Sequence, residues 1–156
     1  NSGGHLTTVT KIISLFLNKD KTIYKLKTDK KTTKTKSTGK KDYELPIVFI
    51  SNGQTASASE VMIYALKDNL NAKLVGEKTF GKGTVQEMIG LKNGNQYKIT
   101  TKKWLSPNGK WVNDTKGIEP DFESKLSDKY LKDPKDENDD QLQAALSVIV
   151  KERKSK

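Results

Sequence analysis

Residues 45–66 read LPIVFISNGQTASASEVMIYAL, and the change of period within this stretch decides the fold. Leu45 to Ile50 is a continuous apolar run, rich in β-branched residues and bounded by Asn52-Gly53, which predicts a buried central strand. Ala58, Val61, Met62, Ala65 and Leu66 then recur at helical spacing and predict a helix running to about Asn69. A strand that turns sharply into a helix brings the first helical residues to the sheet edge. There a hydroxyl can meet a substrate and backbone N–H groups can meet an oxyanion. Ser57 stands at that place. With Glu60 it also spells a capping box, in which its hydroxyl only accepts from the Glu60 amide.

Outward from this stretch, Leu6, Val9, Ile13 and Phe16 predict an amphipathic helix after Gly3-Gly4, ended by Asn18-Lys19-Asp20. Lys73 to Val75 is a second short apolar run, closed by Gly76. Strand-like stretches follow at Thr84 to Ile89 and Gln96 to Thr101, with the hairpin signal Asn93-Gly94 between them. Pro107-Asn108-Gly109 is another turn, with Trp104 before it and Trp111 after it. Asp133 to Asp140 is a polar, acidic break, and Leu142, Ala145, Leu146 and Ile149 predict a carboxyl-terminal helix over 139–154. Strands alternating with helices, followed by hairpins, predict an α/β layer fold.

The 156 residues are 33% hydrophobic and 31% charged, which suits one domain with a modest core. There is no apolar run long enough to span a membrane. The chain opens on Asn1 and a Gly-Gly turn, so it reads as a piece of something longer. Zero cysteines exclude disulfides, thiolate zinc sites and a cysteine nucleophile.

A net charge of +10 suggests nucleic acid until it is located: ten lysines between Lys19 and Lys41, against Asp20 and Asp29, carry +8 of it. This segment, 19–44, predicts a solvated hairpin of Thr22–Thr28 and Thr32–Thr38. Ile23 and Lys25 alternate with Tyr24 and Leu26. Only Tyr24 and Tyr43 could interleave with the basic residues, so no nucleic-acid partner is expected. Lysines on an exposed edge also discourage sheet-to-sheet aggregation.

A serine nucleophile needs a base, and the only histidine is His5, beside the first helix. Lysine can serve if its pKa falls from about 10.4 towards 7 or 8, which requires partial burial or a cationic neighbour. Lys82 has that opportunity in its Gly81-Lys82-Gly83 turn beside Phe80. No complete phosphate-loop spacing surrounds it, and the other readings are a surface lysine or a phosphate contact. If the chain is extended from Lys82 to Gln86, their even separation puts both side chains on one face. Gln86 could then orient the amine, or be an exposed strand residue.

At these residues the sequence resembles the carboxyl-terminal processing, or tail-specific, serine proteases. The similarity runs from Asn1-Ser2-Gly3-Gly4 through Ser57-Ala58-Ser59-Glu60-Val61, Gly76-Glu77, Thr79 to Gln86, and Gly117-Ile118-Glu119-Pro120-Asp121, into the final helix. It implies a crotonase/ClpP-like mixed β-sheet core with packed helices, here lacking its amino-terminal strand, and a serine/lysine dyad. By the resemblance Ser57, rather than Ser59, matches the nucleophile, Lys82 the general base and Gln86 its orienting partner. Gly3, Gly4 and the Ala58 amide match the oxyanion hole, while Glu60 and Thr79 match supporting positions. Asp68 matches a family aspartate, but eleven helical residues carry it about 16 Å along the axis from Ser57, so it is assigned to structure.

The resemblance thus implies that 1–156 is the carboxyl-terminal part of a protease catalytic domain, acting on polypeptides outside the cytoplasm, with no cofactor and no metal. It also implies a PDZ domain elsewhere in the full-length protein. With Gly3 and Gly4 at a frayed end, weak or no activity is expected of this piece alone. Two other readings stay open: a crotonase-like acyl-thioester enzyme, and a binding module that uses the basic hairpin.

Overall fold

The computed structural model describes residues 1–40 and 44–154, so Lys41 and Tyr43 of the basic segment lie outside it. Helix α1 is Leu6–Ile13, followed by strands β1, Thr22–Lys27, and β2, Thr32–Lys36. Strand β3 is Val48–Ser51, helix α2 Ala58–Leu70 and strand β4 Lys73–Gly76. Strands β5, Thr84–Gly90, and β6, Gln96–Leu105, form the hairpin turned at Asn93-Gly94, where Gly94 takes φ +85°. Strand β7, Phe122–Glu123, helix α3, Asp128–Lys132, and helix α4, Asp140–Lys154, complete the chain.

Two sheets divide these strands. A parallel sheet runs in the order β3-β4-β7, and an antiparallel one in the order β2-β1-β6-β5. Helix α2 lies between them: Val61, Ala65 and Leu66 are buried in one core with Leu74 of β4, Ile23 of β1 and Trp104 of β6. Val9 and Ile13 fix α1 to the same core through the helical spacing that the sequence carries. Asn71, in the left-handed conformation with φ 56°, ends α2.

Four expectations are corrected. Leu45–Ile50 reads as a central strand, but β3 begins at Val48 and stands at the end of its sheet order, with Ile50 44% exposed. The run is apolar because both faces are covered, Phe49 by the main core and Val48 by α4; its edge is another matter. The basic hairpin is not simply solvated. Strand β1 pairs with β6, Lys25 opposite Leu105 and Leu26 opposite Trp104.

A register shift between Thr22 and Tyr24 breaks the alternation there, so Ile23 and Tyr24 are both buried. Tyr24 is therefore unavailable to stack on a base. The lysines of β2, Lys34 and Lys36, do sit on an exposed outer strand. In α4 the buried positions are Gln141, Ala145 and Val148, while Leu146 is 47% exposed. The helix presents a face one residue away from the larger side chains, with Ala145 and Val148 packed on Val75 and Val48. Residues 122–123 and 128–132, for which the sequence gives no reading, form β7 and α3.

Candidate active site

From Ser51 the chain turns through residues 52–56 into α2. Thr55 N–H donates to Asn52 O at 2.9 Å, and Asn52 N–H to Thr55 Oγ1 at 3.2 Å, closing a tight loop. Ser57 emerges with φ 56° and ψ −119°. That conformation costs a non-glycine residue about 1–3 kcal/mol and persists only where its surroundings impose it.

Glu60 imposes it. The side chain is 0% exposed, and its carboxylate accepts four hydrogen bonds. Oε2 takes Ser57 N–H at 2.7 Å and Lys82 N–H at 2.9 Å; Oε1 takes Thr79 Oγ1–H at 2.6 Å and Gly81 N–H at 2.7 Å. One buried anion thus ties the serine turn to the lysine turn, and four donors offset the cost of burying it. The Glu60 half of the capping box is formed. Its other half is also in place, with Ser57 Oγ set against the Glu60 amide.

Thr79 extends the network by accepting from Ile118 N–H at 2.7 Å, and its own N–H donates to Ile118 O at 3.1 Å. The Gly117–Asp121 stretch is thereby structural. Its Asp121 accepts from Leu74 N–H at 2.7 Å and from Lys67 Nζ.

The lysine turn is held at both polar backbone atoms of Lys82 and of Gly83. Trp104 Nε1–H donates to Lys82 O at 2.8 Å and Trp111 Nε1–H to Gly83 O at 3.0 Å; Gly83 N–H donates to Asn113 Oδ1 at 2.6 Å. Gly81 has φ +92°, and a Cβ there would lie 2.6 Å from Gly117 N. With its main chain so held, Lys82 has only its side chain to offer.

Sequence reading missed Trp104, Trp111 and Asn113 as parts of the site. The paired tryptophans about the 107–109 turn were a visible signal, but nothing local states that their indoles donate to Lys82 and Gly83.

Ser57, Lys82 and Gln86 line one cleft of 360 Å³, together with Gly4, His5 and Lys98. Among the described residues no hydrogen bond links Ser57 Oγ to Lys82 Nζ directly. Gln86 arrives by a different route from the even spacing expected. Lys82 precedes β5, and the register shifts between Val85 and Gln86, so the consecutive residues Thr84, Val85 and Gln86 all reach the cleft. No carboxylate lines the cleft, and Lys98 adds a second amine to it. His5, exposed at the start of α1, lines it as well.

Gly3 has φ +95°, and a Cβ there would lie 2.7 Å from Ala56 O and 2.8 Å from Ala58 N, so only glycine fits this approach to the serine turn. Gly4 has open space at its Cα. The end is not frayed as expected. Ala56 N–H donates to Asn1 O at 3.2 Å and Gly3 N–H to Asn1 Oδ1 at 2.9 Å. Asp68 lies apart from the cleft, where Oδ2 accepts from Ser106 Oγ at 2.7 Å and Asn108 N–H at 3.0 Å to clamp the 107–109 turn. Among the described residues no group of three or more His, Cys, Asp or Glu is placed to hold a metal, and no helix is long and apolar enough to cross a membrane.

Known proteins share this arrangement of sequence and fold. Residues 1–124 match the family model described as peptidase family S41. The chain is 39% identical over 137 residues to carboxy-terminal processing protease CtpB of Bacillus subtilis, covering 86% of this chain and 28% of that protein. It is 41% identical over 124 residues to a probable CtpA-like serine protease of Staphylococcus aureus, covering 78% and 25%.

The solved photosystem II D1 C-terminal processing protease superposes with a TM-score of 0.72 and 28% identity, over 80% of this chain and 32% of that one. A putative S41 protease from Bacteroides fragilis shares the fold, with a TM-score of 0.77 at 17% identity over 96% and 42%. These likenesses define a mixed α/β domain of the protease class. The chain belongs to peptidase family S41, and its curated relatives are carboxyl-terminal processing proteases of which it spans about a quarter of the length.

Proposed function

We propose that the chain is the carboxyl-terminal part of the catalytic domain of a serine endopeptidase that cuts polypeptides near their carboxyl ends. Its core is then crotonase-like, its site a Ser57/Lys82 dyad. The observation that carries this reading is that Ser57, on a strained turn, and Lys82 line one cleft while a single buried carboxylate, Glu60, holds both main chains.

In the reaction the Lys82 amine takes the Ser57 hydroxyl proton as Oγ bonds to the scissile carbonyl carbon. The Gly4 and Ala58 amides, with Gly3 setting their approach, hold the oxyanion. Collapse breaks the C–N bond, and Lys82 returns the proton to the leaving amine. Water, deprotonated by the same lysine, then releases the acyl group and restores Ser57. Gln86 orients the lysine amine, and Glu60 and Thr79 support the turns.

The whole protein works outside the cytoplasm on polypeptide chain ends, with a PDZ domain that recruits them, and needs no metal or organic cofactor. The piece alone, about a quarter of the length of its relatives, turns over slowly. Robust cleavage of an unfolded substrate by it would overturn that last point.

A fluorophosphonate probe tests the dyad by intact mass. One adduct is expected on the chain, retained in Ser59→Ala, lost in Ser57→Ala and slowed at least about 100-fold in Lys82→Ala. An adduct that survives Ser57→Ala sinks the proposal. A crotonase-like thioester enzyme would act without Ser57. Binding led by the basic hairpin would instead weaken steeply with salt.

A further inference from the structure

Five lysines share one face of the antiparallel sheet. Lys25 and Lys27 are two apart on β1, as are Lys34 and Lys36 on β2, and side chains two apart along a strand point the same way. The ladder sets Lys25 directly opposite Lys34, and Lys27 directly opposite Lys103 of β6. Leu26 and Trp104, one residue along from Lys25 and Lys103, turn to the core, so the lysines turn away from it. Lys25 is half-buried and the other four are exposed.

Like charges directly opposite one another weaken a sheet, and this one carries two such pairs side by side. Little on the protein relieves them. Asp20 meets Lys36 at 3.4 Å, both side chains being exposed. Asp29 lies at the β1–β2 turn, in a hollow of 520 Å³ whose other charged lining is Lys27, Lys102 and Lys103, and of these Lys102 is engaged by Glu87. Among the described residues no carboxylate forms an ion pair with Lys25, Lys27, Lys34 or Lys103.

The layout narrows the partner. Tyr24 is buried and the Trp111 ring is covered by the Lys103 amine, 3.9 Å from its centroid, so neither ring is offered to a nucleic-acid base. Leu105, opposite Lys25, is half-buried, which leaves contact to charge rather than to apolar insertion. Three adjacent strands spread the amines over about 10 Å across the sheet as well as along it. That is an array in two dimensions, and it matches a plane of anions better than a single thread.

We propose that this face docks the chain on the surface of a membrane rich in anionic phospholipid, with headgroup phosphates over the Lys25/Lys34 and Lys27/Lys103 pairs. The association is peripheral and requires no spanning helix. It is independent of the chemistry proposed for Ser57: none of the five lysines lines the cleft with Ser57 and Lys82, so docking occupies no group of that site.

The test sediments the whole chain with vesicles of phosphatidylglycerol and phosphatidylcholine in equal parts, and with vesicles of phosphatidylcholine alone. The chain should bind the first at about 20 mM NaCl, leave them by about 500 mM, and ignore the second at both. No binding to the first, or equal binding to both, would overturn the proposal. Replacing Lys25, Lys27 and Lys34 together by Gln should weaken binding at least about tenfold. The same change at the exposed Lys125, Lys129 and Lys132, which removes equal charge elsewhere, should weaken it less than about threefold. Equal weakening by the two sets would reduce the effect to net charge and overturn the assignment to this face.

Far-UV spectra check that each variant is folded. Should the first set fail that check, Lys34→Gln with Lys36→Gln on the outer strand gives the same reading, with at least about threefold weakening expected and none overturning the proposal. Soluble polyphosphate at the same accessible phosphate concentration should displace the chain from the vesicles poorly. Full displacement would assign the face to a linear polyanion and overturn the membrane.

Discussion

Ser57 and Gln86 line the same cleft, yet they are held there by opposite means. Ser57 is fixed from beneath, by a carboxylate with no exposure and by the close approach of Gly3. Gln86 begins a stretch of β5 and β6 that is exposed on both faces, with Met88 and Ile89 on one strand and Tyr97 and Ile99 on the other. Along that stretch the ladder to a single partner strand is the main support. The lysine turn sits on the boundary, its main chain in the buried network and its side chain in the cleft. The lesson is that the groups proposed to react are placed by buried polar bonds, whereas the group proposed to tune them is carried on an exposed ribbon.

The largest effect should come from the hub. Glu60→Leu leaves Ser57 N–H, Thr79 Oγ1–H, Gly81 N–H and Lys82 N–H without their acceptor, and should cost about 3–5 kcal/mol in urea unfolding. A loss below about 1 kcal/mol would break the contrast.

Next, the two glycines should separate sharply. Gly3→Ala should cost about 1–3 kcal/mol and slow fluorophosphonate labelling about 100-fold. Gly4→Ala, with open space around it, should change stability by no more than about 0.5 kcal/mol. Equal costs would mean that Gly3 is not pressed against the serine turn.

A smaller effect depends on pH. Tyr64 packs edge-on to Trp104 beneath the lysine turn, with ring centroids 6.2 Å apart. Burial holds its phenol above the ordinary value of 10.0; a hydrogen bond with Thr115 opposes that, while Asp68, Glu60 and Asp114 add to it. A folded-state pKa above the unfolded one contributes stability that is fully present below pH 10 and is lost as pH climbs from there through the raised value. Tyr64→Phe should therefore lose less stability than the parent between pH 8 and 10.5 in urea unfolding. Parallel curves would place the phenol in water.

The least effect belongs to the ribbon. Tyr97→Ser, at a residue 60% exposed, should change unfolding by no more than about 0.5 kcal/mol. A larger loss would show that the ribbon is part of the core's support.

Much of this molecule was legible because it depends on local period and turn chemistry. The helices from Leu6 and Ala58 and the hairpin at Asn93-Gly94 follow from residues within a few positions of one another. Ser57 and Lys82 were likewise named from the turns that carry them and Gln86 from an assumed extended spacing, and all three line one cleft. Reading failed where a distant partner decides. The run at Leu45 states that apolar surface is needed on two faces, but not whether its edge is paired. Tyr24 is hidden by a register shift that no alternation rule contains, and Leu146 faces outward because β3 and β4 shape the floor under α4.

By itself, then, the sequence determined the elements, the serine and lysine turns, and the family whose motifs they spell, since each rests on short-range backbone preference or on order along the chain. Only the tertiary structure decided that Glu60 joins those turns, that two indoles brace the lysine turn, and that a bulge carries Gln86 into the cleft. Those are meetings of residues distant along the chain, and they come about through the burial of α2 between two sheets.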